Sequence, residues 1–390
     1  MSLRSRTLTS IVVTLGLAAC GGASGPSAAQ TQLVLDSYAE NLHSAYSDAV
    51  ADEQAFAATV ETFLAAPTES NLAVARTSWL ASRAHYMLVE GARFYGGPID
   101  GSPDHEAALN SWPLDEAYLD YTTNSAGEVD DTSGIVNNPS ELPTIDVAGM
   151  DALNAKVTDS NISDGYHAIE FLLWGQALAP VGPGTRPAAD YQVGGPRPNV
   201  ARRSAYLRTA TEGVIQHLTA VRDAWAPGAP YRTTFTSGGK ASLGLVFTGL
   251  GKLSKGELAG QRLAAPYQSK SRRDQHDCFS SETLTDYTRD AQGILDLYQG
   301  RYGAHAGVGI GTLVAVADRA IDEKLTSQLQ GSVDLMAKIP APFELSIVGD
   351  DTSPGRVAIR AVVTSLRAQG DQLAAAAAAL GISIIVPESN

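Results

Sequence analysis

Apolar residues recur at helical spacing along most of the chain, and the alternation that marks a strand is almost absent. The helical periods and their Pro and Gly breaks predict helices at 31–64, 70–94, 151–157, 165–174, 199–225, 240–266, 282–299, 307–329 and 354–380. Residues 382–386 are the only good strand candidate. The pattern therefore predicts an all-α protein.

A stretch rich in Pro and Gly, "APVGPGTRPAADYQVGGPRPN", interrupts the helical pattern near the middle of the chain. Prolines and glycines are so dense there that a regular element cannot persist. We therefore predict an N-terminal helical bundle at 31–179, a connector at 180–198 and a C-terminal helical bundle at 199–386.

Residues 1–19 predict a secretory signal peptide, because basic residues precede an apolar run that is too short to span a membrane. The run ends in Leu-Ala-Ala-Cys, which is typical of a bacterial lipobox and would make Cys20 the lipidated start of the mature chain. A plain secretory signal cut near Ala19 is the alternative. Residues 20–30 would form a flexible tether. Because Gly21 follows the cysteine, we expect the outer membrane, with the protein facing the periplasm or the cell surface.

The chain is acidic, with 28 basic and 42 acidic residues and a formal net charge of −14. Loss of residues 1–19 removes Arg4 and Arg6 and leaves 26 basic and 42 acidic residues, a charge of −16. This excess disfavours nucleic acid and anionic lipid surfaces as partners and favours cations. Cys278 is the only other cysteine, so no intramolecular disulfide is expected.

The segment "DGYHAIEFLLWGQ" places His167 and Glu170 three residues apart in an otherwise apolar helix. Positions i and i+3 share a helix face, so the imidazole and the carboxylate can converge on one ion or one substrate atom. The pair is a metal site, a catalytic acid/base pair or a hydrogen-bonded polar contact in the core. The chain has no His-Glu-x-x-His, and Phe171 stands where the inverted zinc motif needs its second histidine. A zinc peptidase of those two designs is therefore disfavoured.

A second cluster of polar and aromatic residues recurs at steps of 4, 3, 4 and 3, which is a helical stripe. Its members are Trp79, Arg83, Tyr86, Glu90 and Arg93. The stripe lies beside an apolar helix face, where a polar cleft between elements is expected. The alternative is a ladder of Arg–Glu salt bridges padded by aromatic rings.

Further candidates flank these two clusters. Asp100, on the loop "GGPID", is another oxygen donor. In the second half, "RRDQHDCFS" contains His276, and Glu257 precedes it. We expect His276 on a surface loop and Cys278 as a buried apolar residue, unless they face the cleft.

These stretches together resemble the imelysin family, which is also classed as a peptidase family. The family's Gly-x-His-x-x-Glu motif stands here from Gly165 to Glu170. The branch of iron-regulated protein A-like bacterial lipoproteins is indicated by the order of "RFYGGPID", "LNSWPLDEAYLDY", "GYHAIEFLLWGQ", "GPGTRPAADY", "LSKGELAGQR" and "HDCFS". Two departures concern the second half: Leu284 replaces a histidine after "HDCFS", and Gln261 replaces a glutamate before Arg262.

The resemblance implies two similar four-helix-bundle domains, with the motif near a cleft between them. We predict a metal site with the ligands His167, Glu170, Glu90 and Asp100. The residues expected to line the cleft or to support the ligands are Trp79, Arg83, Tyr86, Arg93, Gly165, Trp174, Glu257 and His276.

The residues and the resemblance together indicate three possible functions. The first is a lipid-anchored protein that binds a metal ion or a metal chelate, iron before zinc, and passes it to iron-uptake partner proteins. The second is a metallopeptidase in which Glu170 acts as general base. The third is a binding module without metal, whose Trp79, Arg83 and Tyr86 cleft holds a small ligand.

Overall fold

The computed structural model describes residues 25–388, and within them the chain is all-α. The predicted signal peptide at 1–19 and the predicted lipidation site Cys20 lie outside the described residues. The α-helices are α1 (Ala28–Ala65), α2 (Glu69–Ser82), α3 (Ala84–Met87), α4 (His105–Asn110), α5 (Glu116–Leu119), α6 (Val147–Leu153), α7 (Gly165–Trp174), α8 (Val200–Ala224), α9 (Pro230–Ser237), α10 (Lys240–Lys252), α11 (Ala265–Ser269), α12 (Thr283–Gln299), α13 (Gly311–Ala317), α14 (Arg319–Met336), α15 (Phe343–Ser346) and α16 (Pro354–Ala379). Among these helices none is long and apolar enough to cross a membrane.

Shorter elements connect the helices. Three 3₁₀ segments lie at Glu90–Ala92, Ala188–Tyr191 and Arg272–Asp274, and a π-helix lies at Leu253–Ala264. Two antiparallel ladders of two-residue strands pair β1 (Thr122–Thr123) with β2 (Val129–Asp130) and β3 (Arg301–Tyr302) with β4 (His305–Ala306).

The long helices follow the apolar periods closely. The bounds of α1, α7, α8, α12 and α16 agree with the predicted ranges to within three residues. The capping box of Ser27 and Gln30 starts α1, because each side chain satisfies a backbone N–H at the helix end. The predicted helix at 151–157 is instead α6, which starts four residues earlier at Val147. There the side chain of Asp146 caps the helix by accepting from the Gly149 N–H.

Four predicted elements differ from the structure. The helix expected at 70–94 ends at Ser82 and continues only as the short α3 and a 3₁₀ turn. The helix expected at 307–329 is two helices, because the side chain of Asp318 caps the start of α14. The helix expected at 240–266 changes from α to π after Lys252. Residues 382–386 form no strand; Ile382 and Val386 instead pack against α10.

Two groups of buried apolar side chains form the core. The larger one contains residues from Val34 to Leu380 and so includes helices on both sides of the 180–198 connector. Across that connector, α8 packs on α1 and α7. The smaller group lies among the π-helix, α12, α14, α15 and α16. The division into two four-helix bundles stays a prediction, since the helices of the two halves share one core.

Candidate metal centre

Helix α7 is buried along all ten of its residues, which explains why its apolar positions are so dense. It starts at Gly165, whose φ is +78° and whose missing β-carbon would lie 2.5 Å from the main-chain oxygen of Leu109. Only glycine allows this conformation and this approach to α4. The helix ends at Gly175, where φ is +66°. The Gly of the Gly-x-His-x-x-Glu motif therefore fixes the position of the helix that carries its His and Glu.

A buried loop from the second half of the chain meets α7 at Glu170. The carboxylate Oε1 of Glu170 accepts hydrogen bonds from the backbone N–H groups of Phe279 (3.1 Å) and Ser280 (2.7 Å). The loop is also tied to the connector, because the Gly184 N–H donates to the Phe279 carbonyl at 2.8 Å. Glu170 thus attaches the loop to the motif helix and brings His276 to the site.

His276 lies directly against His167, although 109 residues separate them in the sequence. Their Nε2 atoms are 3.4 Å apart, and their rings are nearly perpendicular with centroids 4.5 Å apart. Each side chain is about 2% exposed. The expectation that His276 lies on a surface loop was therefore wrong, because the Glu170 contact buries that loop.

A carboxylate lies near the opposite nitrogen of each imidazole. The Nδ1 of His167 is 3.1 Å from Glu170 Oε2, and the Nδ1 of His276 is 3.4 Å from Asp286 Oδ2. If each Nδ1 carries the proton, both Nε2 lone pairs point toward each other. Two facing lone pairs need a cation or a proton between them. Histidine ligands in metal sites are oriented by carboxylates in this way.

Asp277 adds a carboxylate next to both rings. Its oxygens are 3.8 Å from His167 Nδ1 and 3.5 Å from His276 Nδ1. One ligand atom from each of His167, His276 and Asp277 can be chosen so that all three lie within 4.8 Å of one another. Both oxygens of Asp277 are buried without a hydrogen-bond partner. Buried polar atoms without partners are costly, so this donor set fits a bound cation.

The electrostatics of the group agree with this assignment. Burial and, secondarily, the nearby His276 lower the pKa of His167, which keeps its imidazole neutral. Burial raises the pKa of Glu170, and Asp277 raises it further. Burial and Asp286 likewise raise the pKa of Asp277. Two carboxyl groups that resist ionisation side by side are stabilised when a cation comes between them.

Arg83 supports the centre from the side of α2. Its guanidinium forms an ion pair with Asp286 at 2.5 Å and lies 3.5 Å from Asp277. Although burial opposes ionisation, Arg83 holds the pKa of Asp286 well below its usual range. The guanidinium also stacks over the rings of Trp79 (5.2 Å) and Tyr166 (4.8 Å). Arg83 and Asp286 neutralise each other and fix the orientation of His276.

Glu90 belongs to a neighbouring ion-pair network rather than to the histidine group. Its Oε2 lies 2.6 Å from Arg262, and its Oε1 accepts from Asn110 (2.8 Å), Arg93 (3.1 Å) and Tyr86 (3.2 Å). Burial opposes ionisation of Glu90, yet Arg262 and Arg93 hold its pKa at about 2. The partners of Glu90 are therefore the arginines and polar side chains of this network.

The other predicted site residues lie at three places. Asp100 accepts from the backbone N–H groups of Tyr95 and Gly97, so it closes its own loop and stands apart from the histidines. Trp174 packs edge-on against Trp79, with ring centroids 5.2 Å apart. Glu257 pairs with Arg262 at 3.1 Å. We therefore omit Glu90 and Asp100 from the ligand set proposed below.

An open pocket of about 400 Å³ lies beside the histidine group. It is formed between the end of α4 and the π-helix and is lined by residues that include Arg93, Glu106, Asn110, Trp112, Glu257 and Gln261. The Trp112 ring stands perpendicular to the His276 ring at 5.4 Å. Trp112 thus forms the wall between the pocket and the two imidazoles.

Three residues of the centre were not assigned from the sequence. Asp277 follows His276, and adjacent His and Asp residues are potential metal ligands. Nothing in the sequence showed, however, that the loop which carries them is buried. Asp286 lies on a buried face of α12, where an acidic residue among apolar positions was a usable signal. Asn110 joins Arg83 to Glu90 through hydrogen bonds of 3.3 and 2.8 Å and carried no signal of its own.

Comparisons with known proteins agree with this architecture. The sequence profile of the imelysin family (Peptidase M75) matches residues 42–373. Over 329 residues the chain is 25% identical to iron-regulated protein A of Synechococcus elongatus, a match that covers 80% of this chain and 76% of that protein. The fold is similar to the crystal structure of a protein from Parabacteroides distasonis named as an iron-regulated protein A precursor, with a TM-score of 0.67 and 16% identity. That match covers 90% of this chain and 97% of the other, and it concerns the fold alone.

Proposed function

The chain belongs to the imelysin family, and from that premise we propose that it binds iron outside the cytoplasm as a step in iron acquisition. The proposed ligands are His167, His276 and Asp277. Glu170 orients His167 and attaches the loop that carries the other two ligands. The observation that carries the proposal is the pair of Nε2 atoms 3.4 Å apart, with a carboxylate behind each ring.

The chemistry of the donors favours iron. Two imidazoles and one carboxylate are the set that non-haem ferrous proteins use, and no thiolate takes part. Glu170 and Asp277 leave the group negatively charged once they ionise, which suits a cation. The name of the Synechococcus elongatus relative, iron-regulated protein A, points in the same direction. Zinc is the alternative metal, because imidazole and carboxylate also bind zinc.

We propose that the pocket beside Trp112 is the route to the site. The two histidines are almost completely buried, so an ion must pass a side chain to reach them. Trp112 is the side chain that separates the pocket from His276. The same pocket would hold the remainder of a metal chelate if the metal arrives in that form.

The lipid anchor and the location are part of the same proposal. A lipidated Cys20 would hold the protein at the cell envelope, with the outer membrane favoured over the inner one by Gly21. Iron-uptake proteins in the same compartment would receive the metal. Release of the protein from membranes after Cys20→Ser tests this part separately from metal binding.

The test of the ligand set is equilibrium dialysis of the purified protein against Fe²⁺ without oxygen, followed by elemental analysis. We expect His167→Gln and His276→Gln each to lose one bound equivalent. His85→Gln is the matched control, since His85 also pairs with a carboxylate, Asp52, but at a partly exposed position. Equal iron in all four proteins would refute the proposal.

The same samples distinguish the other two functions. Cleavage of an unfolded peptide that disappears in Glu170→Gln, while the metal stays bound, would identify a metallopeptidase. Glu170 is fully buried, and both its oxygens are engaged, so we expect no such cleavage. Absence of any bound metal, with a small molecule held in the pocket instead, would identify a binding module without metal.

A further inference from the structure

A second group of imidazoles lies apart from the centre, where α4, α6 and α8 meet. The Nδ1 atoms of His105 on α4 and His217 on α8 are 2.9 Å apart. On its other side, the Nε2 of His217 is 3.2 Å from Asp151 Oδ1 on α6. His105 is half-buried, and the His217 side chain is 14% exposed, so solvent reaches the pair.

We propose that His105 and His217 form a second metal site, which binds a divalent late first-row ion such as Cu²⁺ through the two Nδ1 atoms. Nothing in the proposed iron function requires this site. Imidazole ligands suit copper, and affinity among divalent ions of this row is highest for Cu²⁺.

The distance between the two nitrogens supports this choice of ion. With metal–nitrogen bonds of about 2.0–2.1 Å, two nitrogens 2.9 Å apart subtend an angle of roughly 90° at the ion. That angle is the one between neighbouring ligands in a square-planar or tetragonal complex, which Cu²⁺ prefers. The helices therefore already hold the two donors at the required separation, and solvent can fill the remaining positions.

Asp151 determines which nitrogen of His217 is free. Because the carboxylate only accepts hydrogen bonds, it favours the tautomer of His217 that carries the proton on Nε2 and leaves the Nδ1 lone pair facing His105. Asp151 would orient His217, and His217 would bind the metal, as in metal sites where an acidic residue orients a histidine ligand. This arrangement differs from the centre, where the imidazoles of His167 and His276 face each other through Nε2.

The surroundings are acidic. Asp104 and Asp151 both act electrostatically on His105. Asp164 lies next to Asp151, is 4% exposed, and has no hydrogen-bond partner on either oxygen. A dication at the histidine pair would offset the charge of the buried Asp164 and of the exposed Asp104 and Asp151.

The experiment is a Cu²⁺ titration of the purified full chain with glycine as a weak competitor, read by equilibrium dialysis and, after the glycine has been removed, by electron paramagnetic resonance. In His276→Gln, which disables the centre, we expect one bound equivalent with a tetragonal spectrum and nitrogen splitting. In His276→Gln/His217→Gln we expect that equivalent and its spectrum to disappear. His276→Gln/His305→Gln is the matched control, because His305 bonds to Asn41 and to no second histidine.

Two results would overturn the proposal. If the His217 substitution removes no copper, the two imidazoles form only a hydrogen bond. If copper binds with a spectrum that lacks nitrogen splitting, its ligands are other groups. Asp151→Asn keeps both imidazoles and should weaken Cu²⁺ binding about 10- to 100-fold without changing the stoichiometry. Circular dichroism of every variant verifies that the overall helix content is unchanged.

Discussion

Glu53 gives the sharpest test of the buried electrostatics around α1. Its side chain is fully buried, and neither carboxylate oxygen has a hydrogen-bond partner. Burial raises its pKa from 4.5 to about 8, and the nearby Ser82 hydroxyl and the attraction of Arg83 only partly oppose this. The folded protein therefore holds a proton on Glu53 at neutral pH, whereas the unfolded chain has released it.

The raised pKa has a definite sign in stability. Between pH 4.5 and 8 the folded state binds more protons than the unfolded state, so the free energy of unfolding falls as pH rises. One pKa unit corresponds to about 1.4 kcal/mol. Between pH 5 and pH 7, Glu53 therefore lowers the free energy of unfolding by about 2.5 kcal/mol. The glutamine in Glu53→Gln does not titrate in this pH range, so the variant lacks this pH dependence of stability. Relative to the wild type, the variant should thus gain about 2.5 kcal/mol between pH 5 and pH 7.

The assay is urea unfolding of both proteins, followed by circular dichroism at pH 5 and at pH 7. Other titrating groups are shared by the two proteins and cancel in the difference. Glu61→Gln is the control on the same helix: Glu61 is exposed, pairs with Arg208, and its pKa is lowered. Its difference from the wild type should stay the same at both pH values. A Glu53→Gln difference that is equal at pH 5 and pH 7 would refute the raised pKa.

Three further predictions concern the centre. Gly165→Ala should lower the thermal midpoint of unfolding sharply, because φ is +78° and the β-carbon would lie 2.5 Å from a main-chain oxygen of α4. Gly213→Ala, inside α8, should leave the midpoint unchanged, because the nearest neighbour of its β-carbon would lie at 3.5 Å. Equal midpoints for the two variants would contradict this prediction. Asp286→Asn should cost roughly 3–5 kcal/mol in urea unfolding, since it leaves the Arg83 charge buried without its partner, and a loss below about 1 kcal/mol would contradict the ion pair. Metal binding should weaken as pH falls and should release protons, because burial raises the pKa of Glu170. Released protons are taken up by the buffer, so the binding enthalpy measured by calorimetry should depend on the ionisation enthalpy of the buffer. A binding enthalpy that is the same in all buffers would contradict this prediction.

The helices were predictable from the sequence because their burial is one-sided or complete over many residues. Helix α7 was predicted at its actual bounds, since Gly165 and Gly175 stop it on both sides. The structure of the segment after Ser82 was not predicted correctly, because the helical spacing of Arg83, Tyr86 and Glu90 indicated one continuous helix. Their partners are Asp286, Glu106 and Arg262, which the sequence places far away. Two ion pairs and the Tyr86–Glu106 hydrogen bond thus hold the segment without a continuous helix.

The site was predictable in part. The pair of His167 and Glu170 could be found from spacing and resemblance, because both residues lie in one helix. His276 could not be placed at the site from the sequence, because it lies 109 residues after His167. The loop that carries it is held in the core by the Glu170 carboxylate, a long-range contact that the sequence does not show. Glu90 was expected as a ligand because a sequence shows a carboxylate but not the arginine that pairs with it. Long-range pairing of this kind decides which acidic residues are free to bind an ion.

X-ray absorption at the iron edge is the most direct test of the central claim that imidazoles from both halves of the chain bind one ion. His105→Gln removes the second histidine pair and keeps the centre, so this variant, loaded without oxygen with one equivalent of Fe²⁺, is the sample. We predict outer-shell scattering from two imidazole rings, and we predict that the bound iron and its imidazole scattering are lost when His276→Gln is added. Iron with only oxygen neighbours, or the same imidazole scattering after His276→Gln, would contradict the account.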